Sequence, residues 1–169
     1  METRKVAYAV VLTALAVALG LFSIPVPPVK VSPGQHMVNV LSAVILGPWY
    51  ALAVAVAASI IRNAAGTGTW FAFPGSMIGA FVAGYVYVFT RNIYLAVVGE
   101  IIGTGILGSL VSVFIVGPVF VAKPTDALVL TLSFLASTIA GSIIGVLGLL
   151  VLQRAGIGKT TQTTHTEGS

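Results

Sequence analysis

The chain has 169 residues, of which 57% are hydrophobic and only 7% charged. A soluble domain carries about 25% charged residues, so this composition belongs in lipid. There is no cysteine, which excludes disulfides, thiolate metal sites and cysteine nucleophiles. The net charge of +4 reports orientation in a membrane chain rather than nucleic-acid binding.

Six apolar runs are visible, and a membrane helix needs roughly 20 residues. Six spans with short loops use up the chain. The expected fold is an all-α integral membrane domain over residues 1–153, followed by a polar, disordered tail over 154–169. The first run, about Arg4 to Phe22, resembles a signal peptide but is followed by further spans, so it is expected to be retained. Ala14 and Ala18 lie four apart on one face, where small residues admit another helix, either within the bundle or outside it.

Ile24 to Gly34 is too rich in proline to continue a helix and reads as a partly extended outer loop. The second span, from Gln35 to Gly47, is short for a full crossing. His36 and Asn39 share one of its faces. The third span runs from Pro48 to Asn63. Pro48 suits a first helical turn, and Trp49 and Tyr50 suit the interface. Ser59, Arg62 and Asn63 share a face at its far end. Ala64 to Phe73 is a second outer loop, and the fourth span runs from Pro74 to Thr90 with Gly75 and Gly79 four apart.

Arg91-Asn92 makes a tight inner turn before a fifth span from Ile93 to Val116, which carries Glu100, Gly103 and Thr104. A third loop holds Lys123 and Pro124. The sixth span runs from Asp126 to Leu152, with Ser133, Ser137, Gly141 and Gly145 on one seam. Arg4, Lys5, Arg91, Arg154 and Lys159 fall on one side, and Lys30, Lys123 and Arg62 on the other. The positive-inside rule puts both termini in the cytoplasm.

Arg62 and Glu100 are the ionisable groups inside hydrophobic spans, where a charge costs about 2.5–3.5 kcal/mol on insertion scales and by default marks function. Counted at 1.5 Å per residue, Arg62 lies roughly 21 Å from the inner end of its span and Glu100 roughly 10 Å. They either staple two spans or share a polar chamber. The chamber reading gathers His36, Asn39, Arg62 and Asn63 in the outer half. Thr69, Trp70 and Phe73 hang over it, with Glu100 and Thr104 as its floor. A mostly apolar pocket with a few convergent polar groups is the usual form of a small-ligand site, and its rings suit a flat heterocycle. Trp70 and Phe73 equally suit membrane-belt anchors, and His36 a helix-end hydrogen bond. No catalytic constellation is visible, and the histidines are too few for the usual metal ligand set.

The run QHMVNV…ILGPWYAL…SIIRNAAGTGTWFAFPGSMIGAFVAG, with VGEIIGTGILG after it, resembles the ThiW family, across about residues 5 to 153. That family comprises substrate-binding (S) components of energy-coupling-factor (ECF) vitamin transporters. The resemblance implies a six-helix membrane fold in a prokaryotic cytoplasmic membrane, not an enzyme. It implies uptake of a thiamin precursor, the thiazole moiety hydroxyethylthiazole being the expected cargo. Its implied partners are a membrane-embedded coupling subunit and two cytoplasmic ATPase subunits, which use the ATP, so no cofactor is expected in this chain. Ala14 and Ala18 match the Ala-x-x-x-Ala face that meets the coupling subunit in such systems. Rival readings are an S component for another vitamin or heteroaromatic cargo, and a self-sufficient channel or secondary carrier, for which no internal repeat speaks.

Overall fold

A computed structural model describes residues 2–27, 29–121 and 126–155. Within them, six helices and one hairpin account for the architecture. Helix α1 (Glu2–Leu19) ends in a 3₁₀ turn (Gly20–Phe22), and α2 spans Pro33–Leu46. Helix α3 covers Pro48–Ala64 and α4 Ala72–Thr90. The fifth, α5, is continuous over Ile93–Val121, and the sixth, α6, spans Ala127–Arg154. The first loop is more ordered than its prolines suggest. It forms an antiparallel hairpin of β1 (Ile24–Val26) and β2 (Val29–Val31), with Pro25 opposite Lys30.

Four helices are long and apolar enough to cross a membrane: α1 with its 3₁₀ turn, α4, α5 and α6. At 1.5 Å per residue, α2 and α3 reach only about 21 and 25 Å, less than a hydrocarbon core of about 30 Å. Their burial explains the shortness. Every residue from Val38 to Ala43 in α2 is buried, polar Asn39 and Ser42 included, so this helix is packed on all sides. By contrast α1 buries only Leu12 and Ala16, and leaves Val6, Val10, Val11 and Leu15 on its outer face. Outward-facing Ile, Leu and Val along α5 and α6 complete an apolar surface suited to lipid.

Two aromatic groups mark opposite ends. Trp49 packs edge-on against Phe81, and Tyr85 stacks near Phe89 beside them. Trp70 stacks on Phe73 and Phe120 at the hairpin end. Paired belts of this kind sit at the two membrane–water interfaces.

Small residues set the helix spacing. A methyl at Gly103 would strike the backbone of Gly79, and one at Gly108 the Cα of Gly75, so α4 and α5 touch backbone to backbone. The seam Ser133, Ser137, Gly141 and Gly145 is buried, and α6 lies along α2 with Gly141 against His36 and Gly145 against Val40. Gly47 alone joins α2 to α3. Its φ of +87° is open to glycine without strain, and Pro48 starts the next helix.

Boundaries differ from expectation at several places, and α2 already begins at Pro33, inside the stretch expected as loop. Helix α4 starts two residues early, at Ala72, because Ala72 and Phe73 N–H groups bond back to Thr69 and Trp70 carbonyls. Helix α5 continues past Val116 to Val121, with Gly103–Gly108 and Ser112–Val121 wound in wider i→i+5 turns. Helix α6 reaches Arg154. The third loop's Lys123 and Pro124, and the tail from 156, lie outside the described residues.

The α4–α5 contact yields a test. A Cβ at Gly79 would collide with Thr104 Oγ1 and Glu100 Oε2, whereas one at Gly148 would meet only Leu41 Cδ2, at 3.7 Å. Gly79→Ala is expected to destabilise the purified protein by about 1–3 kcal/mol, the range for overpacking. Gly148→Ala should be neutral or gain up to about 1 kcal/mol from helix propensity. Thermal unfolding in detergent reads both, and equal midpoints would contradict the close approach.

Candidate functional site

The sequence RNAAGTGT (62–69) is the folding code of the loop between α3 and α4. The Arg62 carbonyl ends α3 by accepting from the N–H groups of Thr67 and Gly68, both at 2.9 Å, and lies 3.2 Å from the Thr67 hydroxyl. Gly66 supplies the positive φ, +71°, that turns the chain back over the helix end. Gly68 leaves room for the Asn63 side chain, which donates to the carbonyls of Ser59 at 2.9 Å and Thr69 at 3.2 Å. This loop lies beside the hairpin, and the Lys30 ammonium donates to the Gly66 carbonyl at 3.1 Å.

Beneath the two loops is a cavity of about 30 Å³. Lys30, Ser32, Gln35 and His36 form one wall, and Arg62, Thr69, Ser76 and Thr104 stand opposite or below. Phe134 and Ser137 of α6 close the side. Arg62 is 2% exposed; it donates through Nη1 to Gln35 Oε1 and through Nη2 to Ser23 Oγ at 3.0 Å. Its guanidinium rests on Gly20, where a Cβ would collide with it.

One layer deeper, Glu100 on α5 collects polar side chains from α2 and from its own helix. Its Oε1 lies 2.9 Å from His36 Nδ1, 3.0 Å from Asn39 Nδ2 and 3.1 Å from Thr104 Oγ1. A carboxylate only accepts, so the His36 contact requires its proton on Nδ1. Asn39 also donates to the Ser76 carbonyl at 3.3 Å, and the single hydroxyl proton of Thr104 is shared between Glu100 and the Gly75 carbonyl at 3.0 Å, which ties the group to α4.

Of the residues expected at a ligand site, His36, Arg62, Thr69 and Thr104 line the cavity. Asn39 and Glu100 stand behind this lining, held in the deeper network. Asn63 is outside it, because its amide is spent on the loop. Trp70 and Phe73 are also outside. Trp70 is half exposed, and the two rings stack on each other. Arg62 and Glu100 make no ion pair; Arg62 turns to Gln35 and Ser23, and Glu100 to His36. Ala14 and Ala18 are exposed on α1 rather than packed inside the bundle.

Sequence reasoning missed Gln35, Ser23, Ser32, Phe134 and Ser137 at the cavity or its arginine. Gln35 had a usable signal: in a helix buried all round, a glutamine beside His36 needs a partner of its own. Ser137 was visible only as part of a packing seam, and which neighbour it meets depends on the hairpin, whose Ser32 N–H donates to it at 2.8 Å.

An all-α bundle with outward-facing apolar helices and a small recess carrying several polar side chains at one end is the architecture of an integral membrane protein. The family model for the thiamine-precursor transporter protein (ThiW) matches residues 6–155, and the chain belongs to that family. It is a family of transporters, not of enzymes. A solved structure, that of the S component of a bacterial ECF transporter, superposes with a TM-score of 0.67 at 16% identity. The match covers 92% of this chain and 97% of the other, and at that identity it is a likeness of fold. No curated protein matches the chain.

The Glu100 network predicts its own sensitivity. Glu100→Ala strands His36, Asn39 and Thr104 donors in the interior and is expected to cost about 3–5 kcal/mol, as for a broken buried pair. Glu100→Gln keeps one acceptor oxygen and should cost less than half of that. Unfolding of the two variants side by side checks the order; a milder effect for alanine would refute the hub.

Proposed function

We propose that this chain is the substrate-capturing S component of an ECF importer, and that its cargo is the thiazole precursor of thiamine, hydroxyethylthiazole. The observation that carries this reading is the small, partly open recess at the hairpin end, where Arg62, Gln35 and His36 stand among apolar walls beneath two loops joined through Lys30 and Gly66. The family description and the shared fold support it.

In this reading all six helices sit in a prokaryotic cytoplasmic membrane with both termini inside, and the cavity opens outward. A cavity of about 30 Å³ is far below the roughly 300–1,000 Å³ of most ligand pockets. Loading therefore parts the hairpin from the 65–71 loop, breaks the Lys30–Gly66 contact, and widens the space beside Phe134. The Phe134 ring then offers a face to the thiazole, while His36, Arg62, Thr69 and Thr104 supply hydrogen bonds. Asn39 and Glu100 hold His36 and Thr104 in orientation. Asn63 keeps the loop folded, and Trp70 and Phe73 anchor it at the interface. Partner subunits, a membrane coupling protein and two ATPases, supply the energy. The exposed Ala14 and Ala18 face on α1 is where the coupling protein docks.

Two measurements test this. Purified protein in nanodiscs should bind hydroxyethylthiazole saturably, and absence of saturable binding of this or any related heterocycle would overturn the cargo assignment. Leucine at both Ala14 and Ala18 should abolish ATP-dependent uptake in proteoliposomes containing the partner subunits, while ligand binding by the isolated chain stays within about twofold, because both side chains are exposed on the outer face of α1 and neither lines the cavity.

A further inference from the structure

The polar groups around the cavity are unevenly divided between donors and acceptors. Arg62 is almost fully buried, yet its guanidinium meets only the neutral oxygens of Gln35 and Ser23. A buried guanidinium calls for a carboxylate or phosphate opposite it, because an unpaired charge withdrawn from water is costly. The acidic side chains among the described residues are engaged elsewhere. Glu100 accepts from His36, Asn39 and Thr104, and Glu2 from the Tyr50 hydroxyl. Asp126 caps α6 through the N–H groups of Leu128 and Val129.

A second cation, Lys30, stands in the lining with only a carbonyl for a partner. Lys30 and Arg62 bring two positive charges, and the His36–Glu100 pair at most one net negative charge, so the chamber is net positive. Two buried N–H groups, Gln35 Nε2 and Arg62 Nε, have no partner. The glutamine assignment is fixed, since Arg62 can only donate and so must face Oε1. Ser137 accepts the Ser32 N–H, which leaves its hydroxyl proton to give. The orphan acceptor of the neighbourhood, Glu100 Oε2, lies against Gly79 and outside the lining.

We propose that the bound substrate carries an anionic phosphate monoester, seated among Arg62, Gln35, Ser137 and Lys30. This rests on the thiazole reading for the ring and adds the class of its side arm. The hydroxyethyl group supplies the oxygen that such an ester needs. A phosphate presents three terminal acceptor oxygens to a site whose free groups are donors, and a guanidinium matches two of them in one plane. The cavity holds two or three water-sized groups, the scale of a small anionic head rather than of a ring, which would extend toward Phe134.

Calorimetry on the protein in nanodiscs with three probes tests this: hydroxyethylthiazole, its phosphate monoester, and inorganic phosphate. The ester should bind at least roughly tenfold tighter than the alcohol, the scale of one charge-assisted hydrogen bond. Arg62→Gln should weaken the ester at least about tenfold more than the alcohol, so that the preference is lost. Lys30→Gln, at a side chain whose one hydrogen bond among the described residues is an exposed contact with the Gly66 carbonyl, should reduce the same preference several-fold and serves where the Arg62 variant fails to fold. Equal affinity for ester and alcohol in the unaltered protein, or an equal loss for both in the variants, would overturn the phosphate site and leave the thiazole reading standing. If neither thiazole binds but inorganic phosphate does, in an Arg62- or Lys30-dependent way, the anion site stands and the thiazole reading falls. If no probe binds, both fall.

Discussion

The acceptance of three donors by a single carboxylate oxygen of Glu100 is the constraint around which the bundle is arranged. His36 and Asn39 come from α2, Thr104 from α5, and through Asn39 and Thr104 the carbonyls of Ser76 and Gly75 bring in α4. In a low-dielectric interior an acidic group is tolerated only where such partners surround it. To gather them, α4 and α5 must approach until Gly79 meets Gly103, which explains glycines at positions where a side chain would be expected to fill space.

Above this layer the same logic is applied to a positive charge, with a different outcome. Arg62 sits at the last turn of α3, where the helix dipole favours a cation. Its partners are neutral, and its stem rests on Gly20, at the end of α1. The two layers are therefore chemically distinct: an acidic floor whose Glu100 Oε1 gathers donors and fixes helix positions, and a basic chamber with unpaired donors that faces the loops.

Much of this was legible in the sequence. Apolar runs separated by Gly, Pro and Arg-Asn gave the helices, and the polar residues inside them gave Arg62, His36, Thr104 and Thr69 at the cavity. The division of labour was not legible. Whether Asn63 points to ligand or to its own loop depends on where Gly68 and the Thr69 carbonyl lie, a matter of loop conformation rather than of helical periodicity. The aromatic pair Trp70 and Phe73 illustrates the same limit: stacking on Phe120, 47 residues beyond Phe73, is a tertiary event. Depth counting placed Arg62 and Glu100 at different levels, which agrees with the absence of an ion pair between them, but it could not supply Gln35 as the arginine's partner.

The single-residue link at Gly47 has a consequence for how the chain enters a membrane. Neither α2 nor α3 is an independent candidate for insertion: both are short, and one carries Gln35, His36 and Asn39, the other Arg62 in its last turn. Joined tip to tip they form a helical hairpin in which the arginine already has its glutamine. Paired in this way, the two short helices present fewer bare polar groups to lipid together than either would alone.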